Sequence, residues 1–234
     1  MDTALKNDIV GNKLRGKRVV LASASARRKE ILEDCLGWTG FEVIPSTFEE
    51  TLSHQDYAGR EIEYPVDTAA QKAIEVYENE VTKDPENPPD LVISADTIVL
   101  LPSETTDNTA RILEKPGSKV ANMDMLEDQN GKTVKVITGV NVVFPSVHRP
   151  GYAVKSMAET TSVIFADCPP SLLASYVEHG EGVDRAGGWA IQGLGSSLIR
   201  SIQGDFNNVK GFPAHAFYAF MQGLIEEEAF PGDC

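Results

Sequence analysis

Cysteine is scarce in this sequence, and histidine is nearly as scarce. Cys35, Cys168 and Cys234 are the only three cysteines in 234 residues, and none of them forms a C-x-x-C pair. This spacing argues against a disulfide framework and against a cysteine zinc site. The four histidines include no H-x-x-x-H pair, which disfavours a histidine-bound metal. The composition fits a reducing, cytoplasmic compartment best.

Long apolar runs and an excess of positive charge are also missing. No apolar run approaches the roughly 20 residues that a membrane-spanning helix needs. The run Val19–Ala22 follows basic residues but is shorter than the ~7–15-residue core of a signal peptide. The 21 Lys and Arg against 35 Asp and Glu give a net charge of −14, which argues against coating of nucleic acid. We therefore expect no membrane and no nucleic-acid partner, although a local basic pocket remains compatible with this charge.

The hydrophobic content is ordinary, at 41%, and its pattern predicts a globular α/β protein. Apolar residues recur with helical period from Val66 to Val81, whereas Asp90–Leu101 is an almost continuous apolar run typical of a buried strand. Two long strand-like segments, 132–145 and 156–167, suggest an antiparallel pair. Early alternation of helices and strands, followed by a strand-rich middle, favours an α/β class with a mixed sheet.

The stretch VVLASASARRKEIL, Val19–Leu32, places small and polar residues between a short apolar strand and a helix. Ser23 to Arg28 fall at the strand-to-helix turn. In one interpretation Arg27 and Arg28 are solvated residues on the first helical turn. In the other, the guanidinium groups and the N–H groups of the turn bind phosphate, because cations at a helix N-terminus are otherwise unfavourable.

Asp96 is an isolated carboxylate inside the apolar run of residues 90–101. Burial of an unpaired charge is costly, so the side chain needs a partner. Backbone amides or a basic residue can satisfy it, and equally it can serve as a catalytic base or a magnesium ligand. Glu49 and Glu50 lie in a polar loop, and they become candidate site residues only if the fold places them beside Asp96.

Three further polar residues are weak candidates when each is taken alone. Lys72 lies beside the helical stripe, Lys115 lies in LEKPG and Gln192 lies in AIQGLG. Exposed lysines are common, and a glutamine in a strand usually faces water. The glycines of GGWAIQGLG permit close approach of a ligand, but they do not form the dinucleotide fingerprint G-x-G-x-x-G. No G-x-S-x-G is present to make Ser23 or Ser25 an acyl nucleophile.

Eight short motifs, taken in order, resemble the Maf family of nucleoside triphosphate pyrophosphatases, and they cover about residues 18–225. The motifs are SASARR (Ser23–Arg28), FEE (Phe48–Glu50), AAQKA (Ala69–Ala73), SADTIV (Ser94–Val99), EKP (Glu114–Pro116), TGV (Thr138–Val140), DRAGGWAIQG (Asp184–Gly193) and GDFNNVKGFP (Gly204–Pro213). Each motif is weak alone, but eight in sequence order are highly specific. The resemblance implies hydrolysis of a nucleoside triphosphate to the monophosphate and pyrophosphate.

Matching the motifs position by position implies a role for each candidate residue. Catalytic roles fall to Asp96, Glu50, Lys72 and Lys115, with Asp96 as the general base and the two lysines neutralising phosphate charge. Glu50 and Asp96 would bind a divalent metal cation, which is magnesium, manganese or cobalt in this family. The substrate-binding residues implied are Ser23, Ser25, Arg27, Arg28 and Gln192.

The resemblance also implies the architecture and the substrate branch. An elongated mixed β-sheet with flanking helices would join two lobes with a cleft between them, in a homodimer. The IQG form of the Gln192 motif resembles the branch that acts on dTTP, UTP and modified pyrimidine nucleotides. We expect residues 1–17 to be a polar N-terminal extension, residues 18–225 a single pyrophosphatase domain, and residues 226–234 an acidic tail.

Three positions depart from the family pattern. Arg185 stands where lysine is usual, Trp189 where tyrosine is usual and Phe212 where leucine is usual, and the first two flank the nucleotide pocket. Two alternatives to the pyrophosphatase remain open from the sequence. One is a catalytically weak nucleotide- or nucleic-acid-binding regulator of growth or division, and the other is a phosphomonoesterase that releases orthophosphate.

Overall fold

A seven-stranded mixed β-sheet flanked by helices organises the chain. The computed structural model describes residues 1–4, 8–49, 52–103, 110–146 and 150–230. The strands in these ranges are β1 (Asp2–Thr3), β2 (Val19–Leu21), β3 (Trp38–Thr39), β4 (Glu42–Val43), β5 (Leu91–Leu101), β6 (Arg111–Leu113), β7 (Thr133–Pro145), β8 (Tyr152–Phe165) and β9 (Ile199–Gln203). The helices are α1 (Ile9–Leu14), α2 (Ala26–Asp34), α3 (Glu63–Lys83), α4 (Lys119–Gln129), α5 (Pro170–His179), α6 (Phe206–Lys210) and α7 (Ala214–Glu226).

The order of the strands confirms the predicted mixed sheet. Along the sheet the order is β4-β2-β5-β7-β8-β9, and β6 adds to β5; β1 and β3 form a separate two-stranded sheet. β2 runs parallel to β4 and β5, whereas β5, β7, β8 and β9 pair antiparallel in succession. The predicted antiparallel pair is therefore β7 and β8, and it is the longest pairing among the described strands. β4 is short, and both of its residues, Glu42 and Val43, pair with β2.

One edge of β5 is interrupted. β7 covers one edge of β5 from Val92 to Leu100. The other edge pairs with β2 only at residues 91–93 and with β6 only at residues 99–101. In the described part of the chain, residues 94–98 therefore have a strand neighbour on one side only. Asp96 is at the centre of this gap, so the sheet itself opens a cleft at the residue that the sequence singled out.

Two apolar cores lie on either side of this gap and define two lobes. The first lobe packs β2, α2, α7 and the start of β5 around Trp38, Phe212 and Phe217. The second lobe packs α4, α5 and the end of β5 around Phe165 and Trp189. β5 and β7 contribute side chains to both cores, so the same two strands connect the lobes.

Part of the predicted N-terminal extension packs on the first lobe. α1 begins after the N-cap Asp8, whose carboxylate accepts hydrogen bonds from two backbone N–H groups of the first turn. Val10 and Leu14 are fully buried in the core that also contains Trp38. Near the other end, Phe230 is buried against Phe144, while residues 231–234 lie outside the described ranges.

Gly139 permits α3 to lie close against β7 opposite Asp96. It pairs in register with Asp96, and a Cβ at this position would lie 2.5 Å from the backbone of Pro65 and Val66. The Asn141 side-chain amide donates to the Val66 carbonyl at 2.7 Å, which fixes the same contact. The absence of a side chain at Gly139 therefore sets the distance between the sheet and the helix that carries Lys72.

We expect Gly139→Ala to lower the free energy of unfolding by about 1–3 kcal/mol, because the added methyl group overpacks a backbone contact. Urea denaturation followed by circular dichroism would measure it. Gly223→Ala is the matched control, since a Cβ at that position in α7 meets nothing within 4 Å and alanine suits a helix better than glycine. Equal stability of Gly139→Ala and the wild type would show that α3 can move away without cost.

Candidate active site

The turn between β2 and α2 is built from small and hydroxyl side chains. β2 ends at Leu21, and α2 begins at Ala26 after the N-cap Ser25, whose Oγ accepts from the Arg28 N–H at 3.5 Å. Ser23 Oγ accepts from the Ser25 N–H at 3.3 Å. These local bonds fix a tight strand-to-helix turn, as the sequence predicted, and they place two arginines on the first turn of α2.

Neutral oxygen atoms orient both arginines. Arg28 donates from Nε to the Gly211 carbonyl at 2.9 Å, from Nη1 to Ser23 Oγ at 3.2 Å and from Nη2 to Thr97 Oγ1 at 3.1 Å. Arg27 Nε donates to the Lys210 carbonyl at 3.3 Å. Because these four acceptors carry no formal charge, they hold the guanidinium groups in place without cancelling positive charge. Such an arrangement suits the binding of an anion.

The two carbonyl acceptors come from the end of α6, a short helix that sequence reasoning did not assign to the site. Its N-cap Asp205 accepts from the Asn207 N–H at 2.7 Å, and Gly211 ends it with a positive φ of 112°. Asn208, fully buried, donates to the Val136 carbonyl at 3.2 Å and anchors the helix on β7. The signals in the sequence were the cap pattern, an aspartate and a glycine bracketing five residues, and the family motif GDFNNVKGFP that contains it.

Asp96 is paired with Lys72. Asp96 is 8% exposed, and its Oδ1 lies 2.8 Å from Lys72 Nζ, which reaches it from α3. Within the described residues, the hydrogen bond to the Asp96 carboxylate comes from Lys72. The need for a partner that burial imposes is therefore met by a lysine.

Thr97 connects the arginine turn to the interior of the sheet. Its Oγ1 lies 3.0 Å from Thr138 Oγ1, and Thr138 lies 3.3 Å from the Asn208 carbonyl. Neighbouring residues in a strand point to opposite faces, so Thr97 faces α2 and α6 while Asp96 faces α3. Both side chains nevertheless line one cavity, because the gap in the edge of β5 opens it to both faces of the sheet. Sequence reasoning missed Thr97 for lack of any unusual local feature.

Lys115 lies on a loop that hydrogen bonds fix to the second lobe. Gly187 N–H donates to the Glu114 carbonyl at 3.0 Å. The Glu114 carboxylate accepts from Tyr64 Oη at 2.9 Å and lies 3.2 Å from His54 Nε2. Lys115 itself is exposed and lines the cavity.

The loop that follows β4 is also fixed to α3. Glu75 of α3 accepts hydrogen bonds from the Ser46 and Thr47 hydroxyls and, at 3.2 Å, from the Phe48 N–H. Burial opposes ionisation of this carboxyl, but the hydrogen bonds from Ser46 and Thr47 outweigh burial and hold the pKa of Glu75 below its usual value. A charged Glu75 thus positions the segment that leads to Glu49 and Glu50.

A single cavity of about 630 Å³ brings the predicted residues together. Eight of them line it: Ser23, Ser25, Arg27, Arg28, Lys72, Asp96, Lys115 and Gln192. Glu50, the remaining predicted residue, lies outside the described ranges. The sequence suggested a strand for Gln192, but it lies in an exposed turn before the strand, because Gly187 and Gly188 adopt positive φ angles and bend this segment.

The described part of the cavity contains oxygen ligands suitable for a divalent cation. Among the residues that the structure describes, no three His, Cys, Asp or Glu side chains group closely enough to hold a metal. Asp96 supplies one carboxylate in the cavity, and Mg²⁺ commonly takes one or two carboxylates together with substrate phosphates. The donor set therefore fits a hard cation that binds together with a polyphosphate.

Comparison with known proteins identifies the family of the chain. The family model described as "Maf-like protein" matches residues 18–224. The dTTP/UTP pyrophosphatase of Schizosaccharomyces pombe is 43% identical over 92% of this chain and 86% of its own length. The enzyme of the same name from Saccharomyces cerevisiae is 35% identical over 97% of both chains. A dTTP/UTP pyrophosphatase of Clostridium perfringens is 34% identical over 88% of this chain and 96% of its own length. With the motifs, the fold and these relatives in agreement, the chain belongs to the Maf family.

Proposed function

We propose that this protein hydrolyses dTTP and UTP, with related modified pyrimidine nucleotides, to the nucleoside monophosphate and pyrophosphate. The observation that carries the proposal is the convergence of Arg27, Arg28, Lys72, Lys115 and Asp96 on one cavity. The substrate names come from relatives that align over most of this chain. Removal of non-standard or excess nucleotides from the cellular pool is the role that this activity serves.

The basic groups can contact a triphosphate from two sides of the cavity. Arg27 and Arg28 bind the phosphates from the first lobe, and Lys115 neutralises charge from the second lobe. Attack at the α-phosphorus increases negative charge on the phosphate oxygens, so preorganised cations stabilise the transition state more than the ground state. The net charge of −14 would repel such a substrate at long range, which makes this local group of cations necessary.

Asp96 is the proposed general base. It lines the cavity, and its ion pair with Lys72 at 2.8 Å orients its carboxylate. An ionised carboxylate in the gap of β5 can accept a proton from an attacking water, which produces the hydroxide that displaces pyrophosphate. Lys72 then serves two purposes, because it orients Asp96 and adds positive charge near the phosphates.

We also propose that a divalent cation, Mg²⁺, Mn²⁺ or Co²⁺, binds with the substrate. Asp96 and Glu50 would hold it. When bound, such a cation withdraws charge from phosphate oxygens and lowers the pKa of a bound water. A homodimer and a cytoplasmic location complete the proposal; the free thiols of Cys35 and Cys168 support the reducing compartment. No helix in the described ranges combines the length and apolar character needed to cross a bilayer.

The structure gives the two alternatives little support. A binding regulator has no need to keep a buried carboxylate–lysine pair at the centre of its pocket, yet Asp96 and Lys72 form one. A phosphomonoesterase would act on monophosphates, whereas the cations here are spread over both lobes of a cavity of about 630 Å³. The volume of the cavity and the distribution of the cations over both lobes fit a nucleoside triphosphate better than a monophosphate.

Measurement of the products separates these functions. With each of the three cations, we expect pyrophosphate release from dTTP and UTP well above that from ATP, GTP and CTP, and no orthophosphate from dTMP. Excess EDTA should abolish release, and re-addition of the cation should restore it. Orthophosphate from monophosphates would establish the phosphatase instead, and binding without any release would establish the regulator.

A further inference from the structure

One end of the cavity is apolar. The side chains there are Val99, Val136, Ala186, Trp189 and Val209. They belong to the core of the second lobe or pack against it, and Trp189 is only 5% exposed. The hydroxyl and basic groups of the arginine turn line the other end. A nucleotide has the same division between a flat, weakly polar ring and an anionic chain, so the apolar end matches the base.

Arg185 is a cation at this apolar end. It immediately precedes Ala186 and lines the cavity. Its Nε is buried and has no hydrogen-bond partner among the residues that the structure describes. Burial also lowers the pKa of Arg185, as expected for a guanidinium withdrawn from water. A buried N–H group without an acceptor is unfavourable, so an acceptor supplied by a ligand would relieve this cost.

The backbone around Arg185 is fixed before any ligand binds. The Arg185 N–H donates to the Gly182 carbonyl at 3.0 Å, and its carbonyl accepts from the Gly188 N–H at 2.9 Å. From α4, the fully buried Asn122 donates to the Gly188 carbonyl at 2.7 Å. Gln129, also fully buried, accepts from Trp189 Nε1 at 3.0 Å. A side chain on such a rigid loop can discriminate between ligands by geometry.

We propose that Arg185 is a specificity-determining residue that donates a hydrogen bond to the O4 carbonyl of a thymine or uracil ring held at the apolar end. A guanidinium carries only donors, so it donates to a carbonyl oxygen and disfavours an amino group in the same place. Cytosine has an amino group at position 4, where thymine and uracil have the carbonyl. This inference rests on the proposed function and adds the group that selects the base.

Gln192 cannot make this selection alone. It lines the same cavity but is exposed, and a side-chain amide both donates and accepts. By rotating its amide, Gln192 can satisfy either a carbonyl or an amino group. A group that only donates is needed to reject cytosine, and Arg185 is such a group.

Binding measurements test the proposal without requiring turnover. Isothermal titration calorimetry, with Mg²⁺ present, would compare α,β-imido analogues of dUTP and dCTP with inorganic tripolyphosphate. We expect the wild type to prefer the uracil analogue over the cytosine analogue by about 10- to 100-fold, the discrimination typical of a well-placed base contact. Arg185→Met should remove this preference and leave tripolyphosphate binding within about twofold, whereas Arg185→Lys, which keeps a donor, should retain part of it.

Arg200→Met is the control for loss of one positive charge, because Arg200 is exposed on β9 in the same lobe. It should leave all three affinities unchanged. If Arg185→Met does not fold, Arg185→Gln provides the same comparison. An equal loss of affinity for all three ligands would assign Arg185 to the phosphates and overturn the proposal. An unchanged uracil-to-cytosine ratio in a folded variant would overturn it as well.

The two proposals fail in distinguishable ways. Base preference in binding without pyrophosphate release by the wild type would refute the proposed function and leave the role of Arg185 intact. Release of pyrophosphate without any base preference in binding would refute the role of Arg185 and leave the proposed function intact.

Discussion

Replacement of Asp96 by asparagine is expected to reduce the rate of pyrophosphate release from dTTP by about 10²–10⁴-fold, the usual contribution of a general base. The substitution preserves the shape of the side chain and removes its ability to act as a base. Asparagine keeps the size of the side chain in the gap of β5 but cannot accept the proton of the attacking water. Initial rates with saturating dTTP would measure the loss, and binding of a non-hydrolysable analogue should change far less.

Asp67→Asn is the matched control for this substitution. Asp67 is a carboxylate on α3 that accepts from Tyr57 Oη at 2.8 Å, and it does not line the cavity. Its replacement removes one charge without touching the substrate, so activity should stay close to that of the wild type. Thermal unfolding of both variants separates lost chemistry from lost stability, because Asp96→Asn also leaves Lys72 without its carboxylate. A folded Asp96→Asn protein with more than a tenth of the wild-type rate would rule out Asp96 as the base.

Replacement of Arg28 by methionine is expected to lower kcat/KM for dTTP by about 10²–10³-fold, as the loss of one preorganised donor to transition-state charge commonly does. Arg28 is held by bonds to Ser23, Thr97 and Gly211, so its position is set before the substrate arrives. Arg28→Lys should recover only a small part of the activity, since an ammonium cannot reproduce this planar set of bonds. Steady-state kinetics over a range of dTTP concentrations would measure both variants.

Lys29→Met is the control for Arg28. Lys29 is the next residue of α2, carries the same charge and is exposed, with Glu33 as its ion-pair partner. If general attraction by positive charge on α2 explained the effect, removal of Lys29 would cost nearly as much. We expect less than a twofold change in kcat/KM. Similar losses in the two variants would show that Arg28 contributes net charge rather than a specific phosphate contact.

Local signals in the sequence predicted the parts of the site that depend on neighbouring residues. The turn at Ser23–Arg28 follows from the change from an apolar strand to a helical pattern, and the structure confirms it. Asp96 stood out because a carboxylate interrupts a buried strand, and the structure places it in the cavity. Such signals need no knowledge of the tertiary fold, because the physical cause lies within a few residues.

Contacts between distant segments could not be predicted in the same way. The carbonyl groups that orient Arg27 and Arg28 come from α6, 183 residues further along the chain. The residue types of α6 do not indicate that its carbonyl groups orient these arginines, because every residue has a backbone carbonyl. The catalytic and binding roles, inferred from the resemblance, remain predictions that the variants above will test.

The continuous pairing of β5 with β7 through both lobes has a mechanical consequence for the cleft. Because β5 and β7 pass through both lobes as one continuous hydrogen-bonded pair, rotation of one lobe against the other would twist both strands along their length. Rotation would also strain the tightly packed contact of α3 with Gly139. Adjustment of the loops around Phe48 and Lys115 breaks fewer backbone bonds and disturbs less packing. The fold therefore sets the width of the cleft. A substrate must fit this width, and only the loops at the rim of the cleft can adjust to it.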